Sequence, residues 1–178
     1  FDRNSLFDTL YVQANHEWND TKDFLEIGQN NIPLKGRIKV DWEPKAFYDS
    51  LGNYHVYKIT TPRYPGFVGG EFKDGKFSFS LSSFGKFTLL KDVDAPSVQL
   101  VSSANDRVSF RIKDDLSGIK TFKASINGKW LLMHYEPKKR LIWSERLNKN
   151  KPLEGVFELI VADNAGNESI YELKLGEL

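Results

Sequence analysis

The sequence predicts an all-β protein built from two β-sandwich domains. Three observations support this prediction. Segments with a two-residue alternation of apolar and polar side chains dominate the chain, and segments with a helical period are nearly absent. The dipeptides Asp74-Gly75 and Asn127-Gly128 each separate two alternating segments, as type I′ hairpin turns do. The polar segment 92–96 ends in Pro96, which breaks the pattern before a new strand, so we place the domains at residues 1–94 and 95–178.

The first half reads as short strands separated by longer irregular stretches. Phe77, Phe79 and Leu81 alternate with serines, as they do on a strand with one buried face. The predicted strands cover residues 9–14, 36–42, 54–60, 67–72, 76–82 and 85–90. The stretches 15–31 and 44–53 show only a loose strand pattern, and we predict that they form variable binding loops.

The second half reads as seven strands in about 84 residues, which is the spacing of a small sandwich. They are predicted at residues 97–101, 107–113, 120–126, 130–135, 141–144, 155–162 and 169–175. Polar turns at residues 114–119 and 163–167 separate several of them. This number and spacing of strands predict an immunoglobulin-like or fibronectin-like sandwich.

Composition narrows the classes of function. The 25 Lys and Arg residues balance 24 Asp and Glu residues, so no charge excess favours a nucleic acid or an anionic membrane as partner. The chain has no cysteine, which excludes disulfides, thiolate zinc sites and cysteine nucleophiles. No apolar run reaches the length of a membrane span. We expect a monomer.

Five short motifs carry a resemblance to a known family. They are FGKFTL at 84–89, DAP at 94–96, DLSGI at 115–119, NGKW at 127–130 and DNAGN at 163–167. With them the chain resembles the C-terminal, non-catalytic β-sandwich region of lysostaphin-type (M23) cell-envelope metallopeptidases from Bacteroidota-like bacteria, which cleave peptidoglycan. The resemblance covers most of the chain and is clearest from about Tyr64 onward.

The resemblance implies an extracytoplasmic location, in the periplasm or on the cell surface. It also implies that a zinc peptidase domain precedes Phe1, so that zinc is expected there and no cofactor is expected in this chain. That peptidase class uses a His-x-x-x-Asp element and a His-x-His element. Asp20 follows His16 at the first spacing, but the sequence has no His-x-His, so no catalytic residue carries over.

The sequence gives only weak indications of a metal site or of catalytic residues. His16, His55 and His134 are too far apart in sequence to suggest a zinc site, and no serine lies in a nucleophile elbow. We therefore expect that this chain is not an enzyme. Asp114, Asp115 and Asp163 are candidate calcium ligands, although Asp and Asn at such positions more often hold tight turns.

Aromatic residues are the remaining signal for binding. Exposed aromatic rings stack on sugars or dock peptides, whereas buried ones form the core or pack between domains. The candidate binding residues are Tyr64, Phe67, Trp130, Tyr135 and Trp143.

Three functions follow from these observations. The first is an accessory module that positions, regulates or targets its own N-terminal peptidase domain, through cell-wall glycan or peptide or an envelope protein. The second is a carbohydrate-binding module of a secreted glycan-acting system. The third is a structural spacer.

Overall fold

The chain folds into antiparallel β-sheets, as the sequence predicts. The computed structural model describes residues 6–46, 48, 51–61, 64–104, 106–146, 148 and 150–176, with the backbone alone at Leu51 and Tyr64. In these residues the regular elements are β-strands and two short 3-10 turns, Leu51–Asn53 and Pro137–Lys139. The chain divides into two compact units, Phe1–Val93 and Asp94–Leu178.

The first unit contains eight strands in its described part. They are β1 (Ala14–Trp18), β2 (Asp23–Ile27), β3 (Ile38–Trp42), β4 (Tyr54–Thr61), β5 (Tyr64–Gly69), β6 (Glu71–Lys73), β7 (Lys76–Leu81) and β8 (Gly85–Lys91). They form a five-stranded sheet in the order β1-β2-β8-β4-β5 and a three-stranded sheet in the order β3-β7-β6. All pairings are antiparallel.

The core of the first unit lies between these two sheets. Alternating residues of β7, Phe77, Phe79 and Leu81, are buried, as are Leu25 and Ile27 on β2. A fully buried Phe or Leu side chain contributes about 2–3 kcal/mol of hydrophobic free energy. The buried members of the core are Leu25, Ile27, Ile38, Trp42, Val56, Phe77, Phe79, Leu81, Phe84, Phe87 and Leu89.

The second unit contains seven strands in its described part. They are β9 (Ser97–Ala104), β10 (Arg107–Lys113), β11 (Ile119–Ile126), β12 (Lys129–Glu136), β13 (Leu141–Glu145), β14 (Gly155–Asp163) and β15 (Glu168–Leu175). They form one sheet in the order β15-β14-β11-β12-β13-β10-β9. The sheet curls until its outermost strands touch, where Ser169 donates a hydrogen bond to the carbonyl of Pro96 at 2.5 Å.

The curled sheet encloses its own core. Buried Phe110 and Phe157 stack with ring centroids 5.2 Å apart, and Tyr171 meets Phe110 edge-on. The buried members of this core are Val108, Phe110, Ile112, Ala124, Leu131, Ile142, Leu153, Phe157, Leu159, Val161 and Leu175.

Both predicted hairpin turns are confirmed. Asp74 and Gly75 have φ angles of 51° and 80°, and Asn127 and Gly128 have 48° and 73°, which are the positive values that a type I′ turn requires. Asn127 also accepts a hydrogen bond from the N–H of Val156 at 2.9 Å, so that its side chain ties the turn to β14. No helix in the described part of the chain is long and apolar enough to span a membrane.

Two strand predictions and one loop prediction for the first half are wrong. Residues 9–13 form no strand, and the stretch 15–31, predicted as loop, contains most of β1 and all of β2. The predicted strand 67–72 is broken near Gly69 and Gly70, whose φ angles are 87° and 104°. A side chain at Gly70 would be tightly packed, because a Cβ atom would lie 3.2 Å from the Cβ of Phe79.

Candidate functional site

A groove of about 500 Å³ runs beside the β1–β2 edge of the first unit. One side is formed by the segment that enters β1 and the other by the segment that leaves β2. Its lining combines exposed polar side chains with the partly buried Leu10 and Ile32, which also pack against the core. The lining residues are Leu10, Tyr11, Gln13, Asn15, Glu26, Gly28, Gln29 and Ile32.

Strand pairing brings the polar residues of the groove together. Asn15 on β1 lies directly opposite Glu26 on β2, and both side chains are exposed. Their strand neighbours Leu25 and Ile27 point into the core, because successive residues of a strand alternate between its faces. The N–H of Gly28 donates to the carbonyl of Gln13 at 2.9 Å, which extends the pairing beyond β1 and holds the two sides of the groove together.

The groove presents one aromatic ring and several hydrogen-bonding groups. Tyr11 is 95% exposed, so its ring is available for stacking. The amides of Gln13, Asn15 and Gln29 each offer a donor and an acceptor, and the carboxylate of Glu26 accepts. This set matches the ring faces and hydroxyl groups of a sugar.

Next to the groove, a charged cluster fixes the outer face of β1. Glu17 accepts hydrogen bonds from Asn15 at 3.2 Å and from the ammonium group of Lys86 at 3.0 Å. Lys86 also lies 4.9 Å from the ring centroid of Phe24. The hydrogen bond and the charge of Lys86 hold the pKa of Glu17 below its ordinary value. Asn15 is thereby oriented toward Glu17 at one end of the groove.

On the core side of β2, Asp23 is fully buried and forms a hydrogen-bonding centre. Its Oδ1 accepts from the N–H of Lys45 at 2.9 Å and lies 2.5 Å from Nε2 of His16. Its Oδ2 accepts from the N–H of Ala46 at 2.8 Å and from the hydroxyl of Tyr48 at 2.9 Å. The centre links β1, β2 and the segment after β3.

The environment of this centre shifts two pKa values. Burial alone would raise the pKa of Asp23, but the hydrogen bonds from Lys45, Ala46, His16 and Tyr48 hold it below its ordinary value. Burial, and then the hydrogen bond to Asp23 and its charge, raise the pKa of Tyr48 above its ordinary value. Asp23 is therefore a satisfied buried carboxylate, and its role is to support the strands that carry the groove.

The candidate binding residues of the first unit do not line this groove. The side chain of Tyr64 lies outside the described part of the structure. Phe67 is partly buried, and its ring centroid lies 5.4 Å from that of Tyr57 and 5.5 Å from that of His55. The ring of Phe67 therefore packs within the first unit.

The three aromatic candidates of the second unit lie on both faces of its sheet. Trp130 is 64% exposed, whereas Tyr135 packs against the core and meets Phe122 edge-on at 5.5 Å. The rings of Trp143 and His134 stack with centroids 5.4 Å apart, and the guanidinium carbon of Arg107 lies 5.2 Å from the ring centroid of Trp143. Trp143 pairs with His134 across β12 and β13, and Trp130 precedes His134 by four residues, so the two tryptophans are separated by about 13 Å along the strand direction.

Two of the three candidate calcium ligands lie close together. Carboxylate oxygens of Asp114 and Asp163 come within 4.8 Å of each other, whereas Asp115 is exposed and pairs with Lys113. Asp114 accepts from the N–H groups of Leu116 and Gly118, at 3.0 and 2.6 Å. Asp163 accepts from the N–H groups of Gly166 and Asn167, at 2.7 and 2.8 Å. Both carboxylates thus have the turn-forming role expected of such residues. Calcium binding stays a prediction.

None of the groove residues was singled out individually from the sequence, although Asn15, Glu26, Gly28 and Gln29 fall in the stretch 15–31 that was predicted to carry binding loops. Single exposed Gln and Asn residues carry no signal in isolation, and the pairing of Asn15 with Glu26 depends on a strand register that the sequence does not reveal. Tyr11, an aromatic residue beside that polar stretch, was a further signal.

Comparison with known proteins assigns no family to the chain. No protein-family model matches it, and no curated protein matches it.

Proposed function

We propose that this chain is a non-catalytic, glycan-binding accessory module of an extracytoplasmic cell-envelope protein. The groove beside β1 and β2 carries the proposal, because it combines an almost fully exposed tyrosine ring with amide and carboxylate groups. Its volume of about 500 Å³ falls within the range of small-molecule sites and suits one or two sugar rings.

The chemistry of the groove favours a neutral sugar over a peptide. Sugar rings present apolar C–H faces that stack on tyrosine, and their hydroxyl groups both donate and accept hydrogen bonds. Gln13, Asn15 and Gln29 have the same dual character. An extended peptide would instead need apolar pockets for alternate side chains, and only Leu10 and Ile32 supply apolar lining here.

The resemblance to the tails of peptidoglycan peptidases suggests which glycan is bound. We propose that the groove holds the glycan strand of peptidoglycan and so targets a peptidase located elsewhere in the same protein. In that arrangement zinc and the catalytic residues belong to the peptidase domain, and this chain contributes only binding and position.

We assign the second unit the role of a rigid immunoglobulin-like or fibronectin-like spacer. Its strand order supports this assignment, because β9-β10-β13-β12 and β11-β14-β15 follow the orders A-B-E-D and C-F-G of the two sheets in a seven-stranded immunoglobulin fold.

Retention on insoluble polymers tests the proposal. The purified chain is mixed with peptidoglycan, cellulose or chitin and sedimented, and the bound fraction is measured against protein concentration. We expect saturable retention on peptidoglycan and about tenfold weaker retention for Tyr11→Ala, since one stacked ring is worth roughly 1.5 kcal/mol.

A matched control distinguishes binding in the groove from nonspecific adsorption to the polymer. Trp130→Ala removes an exposed ring from the second unit and should bind as the unmodified chain does. Equal retention of Tyr11→Ala and the unmodified chain would place the ligand elsewhere. Retention on none of the polymers would instead favour positioning or regulation of the peptidase, or a structural spacer.

A further inference from the structure

A second, smaller pocket in the first unit contains two basic side chains and several hydroxyl groups. Its volume is about 130 Å³, too small for a drug-sized ligand but sufficient for a single polar group. The hydroxyls come from the end of β7 and the turn that follows it, and the basic groups from β4 and from the residue before β3. The lining residues are Arg37, Lys58, Phe67, Val68, Ser80, Leu81, Ser82, Ser83 and Phe87.

Lys58 is the central group of this pocket. It is partly buried, and its ammonium group donates a hydrogen bond to the hydroxyl of Ser83 at 2.7 Å. Its aliphatic chain passes over Gly85, where a Cβ atom would lie 2.7 Å from the ε-carbon of Lys58. The absence of a side chain at Gly85 is therefore what gives Lys58 its path into the pocket.

No carboxylate pairs with Lys58 among the residues that the structure describes. Burial lowers the pKa of its ammonium group, which reflects the cost of removing that charge from water. A partly buried charge is normally paired, and here the described partner of Lys58 is a neutral hydroxyl. An anion would supply the missing charge.

We propose that this pocket binds one oxyanion group, a carboxylate, sulfate or phosphate. Lys58 provides the charge, and the hydroxyl groups of Ser82 and Ser83 provide further donors within the same lining. The guanidinium group of Arg37, which lines the pocket as well, adds positive potential at its rim.

One glycine lies next to both Lys58 of the pocket and a neighbour of the groove residues. The side chain of Asn30, the residue after Gln29 of the groove, lies against the same Gly85 that Lys58 crosses. An acidic substituent on a bound sugar is therefore one source of the oxyanion, and a free anion is the other. The oxyanion site does not depend on the glycan proposal, since its donors and its unpaired charge are separate from the groove.

Amide NMR titrations of the full chain test the site. Sodium acetate, sulfate and phosphate are each added at constant ionic strength, balanced with sodium chloride. We expect saturable shifts at Lys58, Ser82 and Ser83 with at least one of the three anions. Lys58→Gln should weaken this binding about tenfold or more, because it removes a charge-assisted hydrogen bond.

Two further variants make the result decisive. Lys39→Gln removes an exposed lysine of the same unit and should leave the affinity unchanged. Ser83→Ala keeps the charge and removes one donor, so it should weaken binding less than Lys58→Gln does, and it supplies the test if Lys58→Gln does not fold. Non-saturable shifts in the unmodified chain, or unchanged affinity in both pocket variants, would overturn the proposal.

Comparing sugars identifies the source of the anion. Tighter binding of D-glucuronate than of acetate, with shifts in both pocket and groove, would assign the anion to a sugar. Equal binding of acetate and D-glucuronate, with shifts confined to the pocket, would assign it to a free anion. Failure of the glycan proposal would be recognised separately, as the absence of peptidoglycan retention alongside intact anion binding.

Discussion

Tyr48 and Asp23 exchange two hydrogen bonds. The hydroxyl of Tyr48 donates to Oδ2 of Asp23 at 2.9 Å and accepts from the backbone N–H of Asp23 at 3.1 Å. Together with the N–H groups of Lys45 and Ala46, this exchange fastens the segment after β3 to β2. The strands that present the groove are thus held in place from the core side by one buried carboxylate.

Replacing Asp23 should destabilise the first unit strongly. Asp23→Ala leaves the backbone N–H groups of Lys45 and Ala46 and the Tyr48 hydroxyl without their acceptor, and we expect a loss of about 3 kcal/mol in the free energy of unfolding. Tyr48→Phe, which removes one donor, should cost about 1 kcal/mol. Urea unfolding followed at amide resonances of the first unit measures both. The exposed Asp20→Ala is the control, and equal losses for Asp20→Ala and Asp23→Ala would contradict the assigned role.

The same carboxylate should make the first unit sensitive to acid. The pKa of Asp23 is lower in the folded chain than in the unfolded one, so the unfolded chain binds more protons between the two values. The stabilisation by Asp23 is therefore complete above the unfolded value of about 3.9 and is lost as the pH falls through the lower, folded value. Urea midpoints measured across acidic pH should fall more steeply for the unmodified chain than for Asp23→Asn. Parallel curves would show that other carboxylates dominate.

Gly28 should tolerate no side chain. Its φ angle is +57°, and a Cβ atom would lie 2.7 Å from two ring carbons of the buried Phe84. We expect Gly28→Ala to cost about 3 kcal/mol, the sum of backbone strain and overpacking. Gly75→Ala is the matched control, because Gly75 also has a positive φ but opens onto free space. It should cost only about 1 kcal/mol.

The comparison of these two glycine variants isolates packing from backbone strain. Chemical denaturation of both, with the same probe, gives the difference directly. If Gly28→Ala lowers the free energy of unfolding no more than Gly75→Ala does, the Phe84 ring moves aside freely. The packing beneath the groove is then more easily deformed than the structure indicates.

Asp163 should be essential to the second unit, and Asp115 should not. Asp163 is fully buried and accepts three hydrogen bonds within its own turn, from the N–H groups of Gly166 and Asn167 and from the Asn167 amide. Asp163→Ala should lower the free energy of unfolding by about 3 kcal/mol. The exposed Asp115→Ala should change it by less than about 0.5 kcal/mol. Thermal unfolding of the two variants ranks them, and the reverse order would refute the turn-forming role.

In the second unit the alternation of apolar and polar residues predicts the strands well. Each of its seven predicted strands overlaps an observed one, and β10 matches to the residue, because its alternation of Val108, Phe110 and Ile112 follows the burial of one face. The two hairpin turns were predicted equally well, because the residues of Asp74-Gly75 and Asn127-Gly128 readily adopt the positive φ angles of a type I′ turn.

In the first unit the alternation of apolar and polar residues does not predict a strand where a polar residue is buried. Asp23 begins β2 and faces the core, so the segment shows polar residues at both a buried and an exposed position. Three of the groups that bond the Asp23 carboxylate, on Lys45, Ala46 and Tyr48, lie more than 20 residues later in the chain, and no local sequence pattern indicates them. The individual groove residues were missed for the same reason, as was the contact of Lys58 with Ser83, 25 residues apart. These sites arise from pairing and packing, which periodicity does not encode.

The position of β1 at the end of its sheet has a consequence for the behaviour of the protein at high concentration. A terminal strand offers unpaired backbone groups to any second molecule, and such strands promote aggregation when they are long and apolar. β1 is only five residues long, and four of its residues are exposed, among them a charged glutamate. The polar residues of β1 therefore also discourage strand-to-strand association between molecules, so that substitutions at Asn15 or Glu17 will act on solubility as well as on the groove.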